Sequence, residues 1–170
     1  MPKADLDNHF KKIDDLVRQI DELVPEDSGF NAVTFRADLA GLLVVTITAT
    51  YETCVKQVIY RYAECRHVDF GTFARNNYDK INSKISVADL RKYCKTFSPH
   101  IHHRFKSILN KKKQKVLYLA RKDIEKSYQQ ILDWRHDFAH EWNRNATIKD
   151  VVDMHRAGKI ILYVFDESCI

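Results

Sequence analysis

From Val33 to about His67 the chain runs without a proline and with Gly41 as its only glycine before the polar stretch beyond. A segment of that length without a breaker is expected to be one helix, and at about 1.5 Å per residue it is long enough to serve as the spine of a domain. The rest of the chain agrees with this. Only 4 Gly and 3 Pro occur in 170 residues, too little turn chemistry for a many-stranded sheet. The expectation is therefore all-α, a bundle with long core helices, in a single domain over 1–170 whose 45% hydrophobic content can fill one core.

Other helix signals bracket the spine. Phe10, Ile13, Leu16, Val17, Ile20 and Leu23 recur at helical spacing between Ala4 and Val24, and VPEDSGF at 24–30 ends that helix with Pro25 and Gly29. DFGTFARNNYDKINSK at 69–84 is polar and irregular and is expected to be a connection with one helical turn at most. Ser86 with Asp89 has capping-box spacing for a short helix. Ser98 followed by Pro99 starts the next, a serine cap before proline at the first helical position. A long helix is expected from Lys115 to Trp142, and Thr147 with Asp150 caps a last one that runs through Gly158.

Composition excludes several function classes. The net charge of +5 and pI near 9.0 permit contact with phosphate without marking a protein that coats nucleic acid. Four cysteines lie apart with no CxxC pair, and PKADLDNHF is charged where a signal peptide is apolar, so a cytoplasmic location is expected. LAGLLVVTITATY at 39–51 is too short to span a bilayer and reads as core, so no membrane partner is expected. Without a glycine-rich phosphate loop, ATP and NAD are not expected as cofactors. HIHH at 100–103 lacks a Cys or acid at ligand spacing, so no metal is expected.

The chemistry is concentrated in WRHDFAHEW at 134–142. On a helical wheel Tyr128, Ile131, Leu132, Phe138, Ala139 and Trp142 all fall within about 60° of Arg135, which puts a permanent cation in the middle of the apolar stripe. A guanidinium there needs a carboxylate, a phosphate or a wet crevice. His136 and His140 lie about 100° and 140° round, neighbours at i, i+4 flanked by Asp133 and Asp137. Taken alone, these residues also fit an arginine snorkelling to an acid and two solvated histidines.

The spacing R-x4-H in RHDFAH, with His136 in the polar slot after the arginine, resembles the signature of the HEPN superfamily. The helix TATYETCVKQVIYRY at 48–62, which passes through an aromatic–Glu pair into a basic continuation, is similar to the early core helix of RiboL-PSP-type HEPN domains. The resemblance implies a metal-independent endoribonuclease, dimeric, acting on RNA without a cofactor and leaving 2′,3′-cyclic phosphate ends. It further implies toxin–antitoxin or antiphage roles, with an antitoxin or regulatory protein as partner. Arg135 would clamp the phosphate, His140 would be the principal acid/base and His136 a second contact. Cleavage through the 2′-OH needs a base, an acid and a cation, and histidine's ordinary pKa lets it move protons near neutrality. Asp137 would support the histidines. Glu52 would orient Arg135 or the histidines, or else pair with Lys56 one turn on.

Between Arg104 and Lys126 nine basic residues face only Asp123 and Glu125. Lys111, Lys112, Lys113 and Lys115 are the candidate track for RNA, although a solvated loop has the same composition. The rival reading is a non-catalytic helical interaction module on the same scaffold, or a nucleotide binder.

Overall fold

A computed structural model describes residues 2–26, 29–81 and 84–170. They form eight helices, with no strand among the described residues: α1 Pro2–Leu23, α2 Phe30–Glu64, α3 Val68–Tyr78, α4 Val87–Phe97, α5 Pro99–Ala120, α6 Ile124–Glu141, α7 Ile148–Gly158 and α8 Ile160–Ser168. The fold is the all-α bundle that the breaker-poor sequence leads one to expect. The break expected at 24–30 includes Asp27 and Ser28, and the connection at 69–84 includes Asn82 and Ser83, all outside the described residues.

α2 is the spine. It packs against α1, α3, α6, α7 and α8, and Leu43, Val44, Ile47, Tyr51, Cys54, Val55, Val58 and Ile59 are all but inaccessible to solvent. Within it, Ala32–Glu64 is the one stretch among the described residues with the length and apolarity to cross a membrane. Its place at the centre of five helices is that of a bundle's core helix.

The three local caps form as their spacing dictates. Ser86 and Asp89 exchange both bonds of a capping box, as do Thr147 and Asp150, and Ser98 Oγ accepts from the His100 N–H at 3.2 Å ahead of Pro99.

Two expectations need correction. The stretch expected as a connection contains an eleven-residue helix, α3. His67 caps it by accepting from the Asp69 N–H, and it delivers Phe70 and Tyr78 into an aromatic cluster with Tyr62 and Phe97. Long-range packing supplies what a polar sequence does not show. The helix expected from Lys115 to Trp142 is divided at 121–123. Arg121 turns left-handed at φ 54, and the Asp123 side chain accepts from the Glu125 and Lys126 N–H groups, which starts α6 afresh. The last helix passes Gly158 with a single-residue interruption at Lys159, whose N–H still donates to His155 O at 2.9 Å. A side chain at Gly158 would lie 3.0 Å from the Tyr128 backbone, so the glycine lets α7 lie against α6.

Two contacts set the register of α2 on α6. Tyr51 stacks flat on Tyr128, with centroids 5.1 Å apart and planes 2° from parallel. Ten residues earlier, Gly41 makes room for the buried Phe138 ring, which a Cβ would meet at 2.1 Å. Tyr51 also shares a 3.0 Å hydrogen bond with Nδ1 of His155 on α7, and Tyr128 donates to Ile85 O at 2.8 Å. Burial, then the charges of Lys159 and Arg156, push His155 down to about 3.

Two outcomes follow. Gly41→Ala is expected to destabilise the fold by about 1–3 kcal/mol, read by urea denaturation, because the added Cβ would run into the buried Phe138 ring and force it to shift. The unfolded chain's histidine protonates near 6.5, whereas the folded chain keeps His155 neutral down to about 3. Between these values the unfolded state binds the extra proton, so stability falls as pH drops, by up to about 1.4 kcal/mol per unit. Denaturation at pH 7 and pH 5, above the carboxylate range, measures this slope, and His155→Asn is expected to flatten it.

Candidate active site at the end of α6

α6 carries Ile124, Tyr128, Ile131 and Phe138 into the core at positions that continue through 135. Arg135 nevertheless is half-buried, and Ala139 and Trp142 are exposed. The expected continuous buried stripe is interrupted at Arg135 and ends with the buried Phe138. No ion pair or hydrogen bond from the Arg135 guanidinium is found among the described residues. Solvent reaches it, which removes the cost of a dry, unpaired cation.

His136 and His140 are exposed on the adjoining face, their rings 4.5 Å apart at an angle of 50°. The i, i+4 spacing therefore does bring the imidazoles together. Around the helix axis Arg135 and His140 are about 140° apart, with His136 between them.

The supporting residues are placed differently. Asp137 faces the α6–α7 loop: its carboxylate accepts from Asn145 Nδ2 at 3.5 Å, and its carbonyl accepts from the Asn143 N–H at 3.4 Å. Glu52 is half-buried and forms no ion pair with either Lys56 or Arg135 among the described residues. From the register of Tyr51 on Tyr128 and Gly41 on Phe138, Glu52 is level with the start of α6. It stands about 12 Å along the axis from the level of Arg135, and its charge acts instead on Tyr128.

The basic track sits elsewhere too. Lys113 bridges Asp123 at 3.4 Å and Glu125 at 3.0 Å and so pins the turn between α5 and α6; the hydrogen bond to Glu125 raises its pKa despite some desolvation. From Glu125 to His140 is about 22 Å of helix. Lys111, Lys112 and Lys115 are exposed, and the latter two line a cleft of about 780 Å³ whose floor includes Val116, Leu119 and Ile160. Within one copy the track and the histidine pair occupy different ends of α6.

Sequence reasoning missed the loop that follows. Arg144 grips Asp38 with two bonds, Nε to Oδ1 at 2.6 Å and a terminal nitrogen to Oδ2 at 3.1 Å. This clamps the 142–147 connection onto α2. The two residues are 106 positions apart, and nothing local signals such a pair. Trp142, counted in the apolar stripe, stands exposed against Phe138 instead.

No three His, Cys, Asp or Glu side chains converge on a metal-sized site among the described residues. Cys54 and Cys94 are fully buried, and burial pushes the Cys54 thiol up to about 12, so it is not poised as a nucleophile. The chemistry at the end of α6 is thus that of two facing imidazoles, a solvent-accessible guanidinium and an aromatic ring.

Neither a curated protein nor a solved structure matches this chain. The sequence model of the RiboL-PSP-HEPN family matches residues 4–170. That match spans nearly the whole chain and agrees with the helical bundle, and the chain belongs to the RiboL-PSP-HEPN family.

Proposed function

We propose that the protein is a metal-independent endoribonuclease that cuts RNA through its own 2′-OH. The observation that carries this reading is the His136–His140 pair, exposed at 4.5 Å and next to the half-buried Arg135 guanidinium, which pairs with no acid among the described residues. One imidazole takes the proton of the 2′-OH as its oxygen attacks phosphorus, and a protonated one returns a proton to the departing 5′-oxygen. Arg135 holds the charge that gathers on the phosphorane oxygens. His140 is the principal acid/base and His136 the second. The product is a 2′,3′-cyclic phosphate and a free 5′-OH.

Arg135 and His140 diverge around α6, so a second copy is the natural source of the missing half of the site. The α2 surface beside this end supports such a contact: Phe35 and Leu42, seven residues apart on one helical face, are 53% and 50% exposed. Lys111, Lys112 and Lys115, remote from the histidines in one copy, contribute distant backbone contacts that weaken with salt. A toxin or antiphage effector held in check by a partner protein is the biological setting this activity suits. The competing reading is a binding module without turnover, and the same apolar α2 face is its support.

Incubation of the purified protein with total RNA in excess EDTA tests the proposal. Wild type is expected to leave cyclic phosphate ends, His140→Ala to lose at least 100-fold in rate, and Arg135→Ala to lose activity while keeping its denaturation midpoint. An intact, folded dimer that leaves RNA uncut at low salt would favour the binding module. Leu42→Glu is expected to yield monomers in sedimentation and to lose cleavage with them. Expression of the wild type, but not of His140→Ala, is expected to arrest growth; harmless expression of an enzyme active in vitro would remove the toxin role.

A further inference from the structure

α5 carries an apolar stripe that its neighbours cover only in part. Ile101, Phe105 and Leu109 are buried, whereas further along Val116 is half-buried and Leu119 is 68% exposed. α5 runs antiparallel to α7 and α8. Phe105 meets Phe165 edge to face, with centroids 6.1 Å apart, and Lys122, just past the end of α5, reaches Asp153 at 3.8 Å. The helices thus touch at two levels and part between them. The space they leave is the cleft of about 780 Å³, within the roughly 300–1,000 Å³ that small-molecule sites occupy.

The lining has two characters. Val116, Leu119, Ala157, Ile160 and Val164 give it an apolar floor, and Lys112, Lys115 and Arg156 line it where it opens to solvent. None of these three cations forms an ion pair or a side-chain hydrogen bond among the described residues. Two acids of the cleft are engaged elsewhere: Asp153 holds Lys122, and Asp7 accepts from the Tyr163 hydroxyl. The third, Glu167, lies two residues past Phe165, at the end where α5 and α8 meet.

We infer that this cleft is a binding site for a small amphipathic anion, with an apolar, acyl-like body along the floor and a carboxylate or phosphate head on Lys112, Lys115 and Arg156. Apolar surface that no element covers gains from such a body, and lysine stems can follow the wall while their ammonium groups meet the head. Length decides against a larger occupant. From Lys112 to Leu119 the wall runs about 10 Å, and contacts close it at both ends. A partner's helix, itself about 10 Å across, has no open groove to lie along. At about 1.5 Å per C–C bond, roughly eight to ten carbons cover that length.

Calorimetric titration of the full chain with octanoate, decanoate and dodecanoate, each below its micellar concentration, tests the site. One molecule per chain is expected, with affinity rising about tenfold from octanoate to decanoate and less from decanoate to dodecanoate as the cleft fills. 1-Decanol, the same chain without the charge, is expected to bind about tenfold more weakly or worse. Lys112→Ala with Lys115→Ala should weaken decanoate by a similar factor and leave decanol unchanged. Leu119→Glu, a change at an exposed position, is expected to remove binding while the urea midpoint stays in place. Decyl phosphate beside decanoate tells which head the cations take, and tight binding of either supports the site. Affinity independent of chain length, decanol binding as tightly as decanoate, or a Leu119→Glu protein that binds like wild type would each overturn the inference. Binding to anionic phosphatidylglycerol vesicles without uptake of monomeric decanoate would assign this surface to a membrane and overturn it as well.

Discussion

The arrangement depends on what Tyr51 does in the middle of α2. Its ring lies flat on Tyr128 of α6 while its hydroxyl bonds His155 of α7, so one side chain joins three helices at one level. A buried phenol and a buried imidazole are each costly without a partner, and each supplies the other's. With that level set, helical rise determines the rest of the α2–α6 seam. Phe138 meets Gly41, which seats the last turn of α6 against the first half of α2.

The candidate site lies at that end of α6. The stripe that is buried at Tyr128, Ile131 and Phe138 admits solvent at Arg135 and ends at the exposed Ala139 and Trp142, so a charged group stands within an apolar face of a single helix. The chain after it does not drift away. The Arg144–Asp38 clamp and the bonds from Asn143 and Asn145 to Asp137 fold the 142–147 connection back onto α2 and α6, which leaves the imidazoles exposed on a supported end.

Some of this was legible from the residues alone. The caps at Ser86, Ser98 and Thr147 were, because a cap is a contract between residues two or three apart. The facing of His136 and His140 was, because four residues is one turn. The division at 121–123 was not, since Arg121 takes a left-handed turn with no glycine to announce it and Asp123 looks like any surface acid. α3 was not, because a polar segment becomes a helix there through the aromatic partners that Tyr62 and Phe97 offer from elsewhere in the chain. The basic track was legible as charge but not as place: Lys113 spends its charge on Asp123 and Glu125 at the far end of α6.

By itself, the sequence determined the all-α class, the breaker-free spine, the family pattern and the pairing of two histidines on one face. These follow from periodicity and neighbours within a turn, where backbone geometry leaves one outcome. Only the tertiary structure decided that Arg135 meets solvent instead of dry core, that Glu52 is level with the start of α6, and that Trp142 stands exposed against Phe138. Those facts depend on where one helix ends against another, and that is set by contacts such as Tyr51 on Tyr128 and Phe138 on Gly41, between residues some 80 to 100 positions apart.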